Sequence, residues 1–294
     1  MYEIPLPAPL KRALRQGIPG PLWHWLKEAQ RDAAFRGAGP YSFDEAAILR
    51  HVDAQPAIEP FYVDIGAQDG VLGSQSLALA KRGWGGVAFE ADPDLCRRMK
   101  ARYSALPAVK VVQELVSPDG IAASLERENV PGNFGFLSLD IDSFDYYVLA
   151  AILEKFSPTV ICVEINEMVP PPVVFVVEYS ADAAWTGDRF QGFSIQAAKE
   201  LCNLYGYEIG ELHYNNLLLV KSSAQRPMVS DEDIARAYRD GYANKADRGA
   251  LFPWNAEFND LLGQSPETVV ERLSHLFGDR LDRCRLEVAR EDTA

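Results

Sequence analysis

Cysteine is scarce. The four in the chain, Cys96, Cys162, Cys202 and Cys284, stand far apart with no CxxC pair. That spacing offers neither a zinc ligand set nor a disulfide framework, so they read as small buried hydrophobes. Long apolar runs are missing too. The longest, such as Val173 to Val177, are strand-sized, well short of the roughly 18 residues a membrane-spanning helix needs. The opening MYEIPLPAPLKRALRQ carries prolines and charges where a secretory signal would need an unbroken apolar segment, so the expectation is a soluble cytoplasmic protein. Positive charge is short, with 29 Lys and Arg against 42 Asp and Glu and a net charge of -13. Phosphate binding needs a cationic face, which argues against nucleic-acid or anionic-membrane partners. With 294 residues the chain has room for one large α/β domain with appendages, or for two small domains.

What is present is organised around FYVDIGAQDG, Phe61 to Gly70. Aromatic and β-branched residues from Phe61 to Ile65 read as a buried strand, with Asp64 near its end. Gly66 lets the backbone turn sharply and lets a ligand approach it. Gly70, Gly73 and Ser74 then lead into a predicted helix, Ser74 to Arg82, whose free N–H groups face the same point. A dinucleotide fold wants GxGxxG so that the pyrophosphate rests on the helix N-terminus. Here the glycines fall at 66, 70 and 73, with Asp64 and Asp69 among them, and two carboxylates repel a pyrophosphate. A ligand carrying an ammonium and a sulfonium is attracted instead.

The stretch resembles motif I of class I S-adenosylmethionine-dependent methyltransferases, and DIGAQDG is similar to the FkbM-like branch. The resemblance implies a doubly wound, mostly parallel seven-stranded Rossmann-like α/β sheet. It also implies methyl transfer from S-adenosylmethionine to oxygen, often a hydroxyl of a sugar or natural product. It covers residues 60–222, with helical extensions over 1–59 and 223–294. Asp64, Gly66, Gln68 and Gly70 are its cofactor-binding candidates in the motif.

In the first extension, Pro21 opens a helix with Leu22, Trp25, Leu26 and Ala29 on one face. Ser42 with Glu45 reads as a capping box for a second helix. Gly86 to Glu90 is the second strand, and an acid about 20 positions or more after the glycine turn is placed to bond a ribose diol, which makes Glu90 the candidate. A helix over Asp94 to Tyr103 and a third strand, Val109 to Val112, follow. The loop from Gln113 to Ser117 lies at the ligand edge, where Gln113 or Glu114 could touch the adenine.

Phe136 to Tyr146, FLSLDIDSFDY, is the second informative stretch. Alternation puts Asp140 and Asp142 on one side at the end of the fourth strand. The fifth strand, from Thr159, runs out through Glu164-Ile165-Asn166-Glu167, with Glu164 and Asn166 on one side. Neighbouring strands lie about 4.8 Å apart, so Asp140 or Asp142 could converge with Glu164 and Asn166 on one ion. Oxygen ligands of this kind suit magnesium or calcium. The arrangement is similar to the magnesium site of catechol-type and macrolide-sugar O-methyltransferases, here with Asp140, Glu164 and Asn166 as ligands. The same acids could instead bind the methionine moiety (Asp140 above all) or the substrate hydroxyl, or cap the next helix.

Val169 to Gly192 reads as a long connection, stiffened by Pro170 to Pro172 and studded with Tyr179, Trp185 and Phe190, either a lid or a flap over core. Ser194 caps a helix that Gly206 stops. Tyr207 to Leu212 and Asn216 to Val220 read as the antiparallel hairpin that closes the sheet. If the first of these runs parallel to the other strands, His213 lies on the ligand edge as a candidate general base, in competition with Asp142 and Asp145. Further on, Ser230 with Asp233 and Ser265-Pro266 each open a helix, Gly278 ends the second, and Arg280 to Glu291 reads as a solvated helix. This extension could pack on the core, cover the substrate or make a homodimer contact. The expected partner is a small-molecule or glycan acceptor. The rival functions are a non-catalytic methyltransferase-like module and an NAD-dependent sugar-modifying enzyme.

Overall fold

The computed structural model describes residues 20–37, 39–182, 186–224 and 228–290. The charged opening segment, Trp185, Glu291 and the side chains of Leu22 and Trp25 lie outside the described residues.

The chain forms helices α1 (Gly20–Arg36) and α2 (Glu45–Asp53) and then enters β1 (Phe61–Ile65). It continues through α3 (Leu77–Lys81), β2 (Gly85–Glu90), α4 (Pro93–Tyr103), β3 (Val109–Gln113), α5 (Pro118–Arg127), β4 (Phe136–Leu139), α6 (Asp145–Leu153) and β5 (Val160–Glu164). After β6 (Val173–Val177) come α7 (Ile195–Tyr205), β7 (Tyr207–His213) and β8 (Asn216–Lys221). The second extension holds α8 (Asp231–Tyr238), a short α9 (Arg248–Leu251), a 3-10 segment (Pro253–Leu261), α10 (Pro266–Phe277) and β9 (Cys284–Val288).

Seven strands make one sheet in the order β3-β2-β1-β4-β5-β8-β7. β8 is antiparallel to both β5 and β7, so β7 runs with the five central parallel strands. The central strands are apolar on both faces because helices cover both. On one face Val63, Ile65, Phe89, Leu137 and Ile161 pack with residues of α5, α6 and α7. On the other Tyr62, Ala88, Phe136 and Cys162 meet α2, α3 and α4. The expected doubly wound, Rossmann-like sheet with its closing hairpin is the fold. Cys96, Cys162 and Cys202 are buried free thiols. No helix among the described residues is long and apolar enough to cross a membrane.

Local signals set several boundaries as read. The Ser194 hydroxyl accepts from the Ala197 N–H, and Gly206 closes α7 at φ 77°. Ser230 and Asp233 form a full capping box, and Ser265 caps α10.

Four readings are corrected. The helix after the glycine turn begins at Leu77, not Ser74, because the Ser74 hydroxyl accepts from the Leu77 N–H and acts as a turn residue outside it. The Ser42–Glu45 capping box does not form. Helix α2 starts at Glu45, whose carboxylate accepts from the Tyr41 N–H at 2.8 Å, and the buried Ser42 hydroxyl has no partner. The long connection contains a strand, β6, and the charged tail is not one solvated helix, since a 3-10 segment (Gly278–Arg283) gives way to a strand. Its Cys284–Val288 run pairs antiparallel with β6 as a second, two-stranded sheet. That ribbon shares a cluster with α10, in which the Phe175 and Phe277 rings stack at 5.0 Å. Tyr179 and Phe190 belong to the same packing: Tyr179 meets Phe144 edge-on at 5.2 Å, and Phe190 is buried against Phe277.

Candidate active site at the carboxyl edge of the sheet

Strand register puts the predicted site residues on one level. Glu90 pairs with Gln113, Glu164 with Asn216, and Asn216 with His213. Gly66 and Asp140 each follow directly on a matched pair, Ile65 and Leu139. In-register neighbours face the same side, so six side chains and one glycine form a row across the carboxyl edge.

The glycine turn sits in the middle of that row. A side chain at Gly66 would put its Cβ 1.8 Å from the Asp140 carbonyl oxygen, and φ is 84°, so the turn closes only with glycine. Gln68 also has a positive φ, 52°, and its N–H donates to Glu90 Oε2 at 2.7 Å. The Asp92 N–H donates to Glu90 Oε1 at 2.7 Å. Glu90 thus clasps the turns after β1 and β2 together, and each oxygen keeps a second lone pair for a ligand. Burial raises its pKa. Gln113 is exposed at the rim, whereas Glu114 is tied to Ser124 and Arg127.

Asp64 lies beneath the turn, buried, and accepts from the Ser76 hydroxyl at 2.5 Å. Removal from water pushes its pKa up to about 6. Asp69 does not add free negative charge, because its carboxylate is ion-paired with Arg31 of α1 and accepts from the Val71 N–H. The first extension therefore neutralises one of the two acids that the sequence alone placed in the cradle.

The acids beyond β4 and β5 converge. Asp140, Asp142 and Glu164 each offer an oxygen, all within 4.8 Å of one another. Desolvation first, then the charges of Asp142 and Asp145, pushes the Asp140 pKa up to about 7. Glu164 is raised well above its usual range by burial and then by Asp140. Crowded carboxyls of this sort hold either a proton or a cation. Three oxygens at this spacing fit an oxygen-ligated divalent ion such as magnesium or calcium. The third acid of the group is Asp142, at φ 57°. Both amide hydrogens of Asn166 are used to hold the next loop, on the carbonyls of Arg189 and Gln191 at 3.0 Å each.

The base candidates separate. Asp145 is buried and accepts from the Ile141 and Ser143 N–H groups at 2.9 and 3.1 Å, so it shapes the loop that carries Asp142. β7 does run parallel, so His213 reaches the ligand edge. Its Nδ1 lies 2.6 Å from the Asp44 carboxylate, its ring meets Phe43 and Tyr214, and it borders a separate cavity along β7. Asp142 and Glu164 instead line a cavity of about 720 Å³, whose other walls come from the loop 187–191 and from Phe252, Trp254, Leu276 and Arg280 of the second extension.

Sequence reasoning missed Asp44, Gln75, Ser138 and Asn215. Asn216 donates to Asp44 at 2.8 Å, Gln75 to Asn216 at 3.0 Å, and Ser138 to Gln75 at 2.9 Å, a buried line of hydrogen bonds under the edge. Asn215 donates to Glu164 at 2.6 Å. Only Asn215 carried a local signal, as a hairpin residue one step from the sheet.

No family model matches the chain, and no curated protein does. Several solved structures are similar in fold. One is an O-methyltransferase from Bacillus cereus in complex with S-adenosylhomocysteine, at 16% identity, covering 72% of this chain and 96% of that one, with a TM-score of 0.41. Another is a TehB-like S-adenosylmethionine-dependent methyltransferase from Corynebacterium glutamicum, at 17% identity, covering 68% and 100%, with a TM-score of 0.38. A third is TrmK from M. capricolum with S-adenosylhomocysteine, at 7% identity, covering 79% and 85%, with a TM-score of 0.39.

Proposed function

We propose that the chain is an S-adenosylmethionine-dependent methyltransferase of FkbM-like type that methylates a hydroxyl of a sugar or natural product, assisted by a divalent cation. The observation that carries this reading is the single row at the carboxyl edge: a glycine-only turn clasped by Glu90, and directly beside it a carboxylate triad opening on a cavity. In this reading Glu90 takes the ribose, and the Gly66–Gly70 turn with Gln68 takes the rest of the cofactor, with Gln113 at its adenine rim. Asp64 and Asp140 back the methionine end.

S-adenosylmethionine supplies a methyl group on a sulfonium, and a cation held by Asp140, Asp142 and Glu164 would lower the pKa of an acceptor hydroxyl. The residues themselves orient that hydroxyl in a site that the second extension shields from water. A carboxylate can take its proton, and Asp142, whose pKa burial raises and which lines the cavity, is the group for that step through the oxygen it does not offer the cation. The proton taken from the hydroxyl ends on Asp142, and the methyl ends on the hydroxyl oxygen.

Calorimetry with S-adenosylhomocysteine tests the reading. Saturable binding that Glu90→Ala weakens at least about tenfold is expected, a loss of roughly 1.4 kcal/mol. Binding of NAD without binding of S-adenosylhomocysteine would overturn it in favour of a sugar-modifying oxidoreductase. Binding of neither would leave a non-catalytic module.

A further inference from the structure

One line of hydrogen bonds under the carboxyl edge joins the glycine turn to His213. The strands at its two ends, β1 and β7, are four steps apart in the sheet, roughly 19 Å at about 4.8 Å per step. Ser138, Gln75, Asn216 and Asp44 lie between, and all four are buried. Asp64 and Ser138 are register partners on β1 and β4, so their side chains stand together on one face.

The line has a direction, and its far end sets it. The Asp44 carboxylate accepts on both oxygens, from His213 Nδ1 at 2.6 Å and from the Asn216 amide at 2.8 Å. Asn216 must therefore turn its oxygen to Gln75, whose amide nitrogen donates to it at 3.0 Å. That leaves Gln75 Oε1 facing Ser138, whose hydroxyl donates to it at 2.9 Å. A hydroxyl carries one hydrogen, so the one on Ser138 is withheld from Asp64. Among the described residues Asp64 accepts from the Ser76 hydroxyl alone, and it keeps lone pairs for a ligand at the turn above it.

We propose that His213 is a positioning residue for the cofactor turn: by holding Asp44 as an acceptor it fixes both amides and keeps the Ser138 hydrogen off Asp64. This rests on the proposed function only for the identity of the ligand that Asp64 meets. Burial raises the Asp44 pKa, and the hydrogen bond from His213 is the largest influence against it. Without His213 the Asp44 carboxyl takes a proton, and its O–H donates to the Asn216 oxygen. Both amides then turn over, the Gln75 nitrogen donates to Ser138, and the Ser138 hydrogen passes to Asp64.

Calorimetry with S-adenosylhomocysteine tests this. His213→Phe keeps a ring beside Phe43 and Tyr214 but leaves Asp44 without that donor. It is expected to weaken binding about tenfold, the weight of one hydrogen bond to a charged group. Ser138→Ala alone is expected to bind like the parent, because there the hydrogen goes to Gln75. Added to His213→Phe, Ser138→Ala is expected to restore the parent affinity, which a mere loss of packing at His213 would not allow. Gln75→Met cuts the line one step from Ser138 and should give the same loss and the same rescue, should the histidine variant not fold. Unchanged affinity in His213→Phe, or no rescue by Ser138→Ala, would overturn the proposal.

Urea unfolding of the same proteins without ligand reads the line apart from the cofactor. Three side chains separate His213 from Ser138, so their effects on the midpoint would add if nothing connected them. The shift caused by Ser138→Ala is expected to change when His213→Phe is also present, and strict additivity would count against the line whatever the cofactor does. Non-additive unfolding in proteins that bind no S-adenosylhomocysteine would sink the proposed function and leave the line standing.

Discussion

The Asp44 carboxylate and the His213 imidazole meet at 2.6 Å across 169 residues of sequence, joining the first extension to the last strand of the sheet. Asp44 is 2% exposed, and its other oxygen accepts from Asn216. Asp44→Ala leaves His213 Nδ1 and the buried Asn216 amide without an acceptor. At about 1–3 kcal/mol for each group so stranded, urea unfolding should show a loss of roughly 2–4 kcal/mol. Asp44→Asn, which keeps one acceptor, should lose less. Equal stability of all three proteins would mean the pairing holds nothing in place.

Stability of the ligand-free protein should fall as pH rises. Asp64 and Asp145 are pushed up to about 6, Asp140 to about 7, and Glu164 is also raised, in each case by burial first. The unfolded chain releases these protons near pH 4, so the folded state binds more of them between about pH 4 and 7, and the slope of stability with pH is negative there. The contribution is fully present below about pH 4 and is lost as pH passes through 6 and 7. Exposed acids whose values are lowered, such as Asp94 and Asp233, act in the other direction but are screened by water. Thermal melts from pH 5 to 8 should therefore show a declining Tm, and a rising one would contradict the account of the cluster.

Magnesium should reverse that decline. A ligand present at 100 times its Kd stabilises by about 2.7 kcal/mol, and protons compete for the same carboxylates, so the gain in Tm should be larger at pH 8 than at pH 5.5. Asp140→Asn and Glu164→Gln should abolish the magnesium effect. Without the ion both variants should melt higher than the parent at pH 8, since each removes one of the crowded charges. A magnesium response that survives Glu164→Gln would place the ion elsewhere.

Two glycines with the same backbone angle should respond differently to alanine. Gly66 and Gly73 both have φ 84°, but a Cβ at Gly66 collides with the Asp140 carbonyl, whereas at Gly73 nothing lies within 4 Å. Gly73→Ala should cost about 1 kcal/mol, the strain of a left-handed alanine. Gly66→Ala should cost about 3 kcal/mol or more and displace the triad as well. Circular dichroism melts of the two variants give the comparison directly.

Much of the sheet was legible because its strands are short apolar runs between glycines, prolines and acids, and such signals act within a few residues. Alternation and strand spacing brought Asp140 and Glu164 together, whereas His213 reached the edge only on the condition that its strand ran parallel, which β7 meets. What could not be read was set at long range. Asp69 has the same local sequence whether or not Arg31 lies beside it, and nothing near Asn166 in the sequence shows that its amide hydrogens go to the carbonyls of Arg189 and Gln191. The Ser42–Glu45 pair has the spacing of a cap, yet the helix begins later because Glu45 turns back to Tyr41. Cys284 to Val288 is rich in charge, and only β6, more than a hundred residues earlier, makes it a strand.

That ribbon has a consequence for how the molecule is made. Residues 173–177 meet their partner only after the intervening hundred or so have been positioned, so loop-closure entropy makes this pairing one of the costliest in the fold and a late event. Until it forms, Phe175 and Phe277 have no stack, and the wall bearing Leu276 has nothing to lean on. A folding chain would thus complete its seven-stranded sheet first and the cavity in front of Asp142 and Glu164 last, and mild denaturant should open that cavity while the sheet still stands.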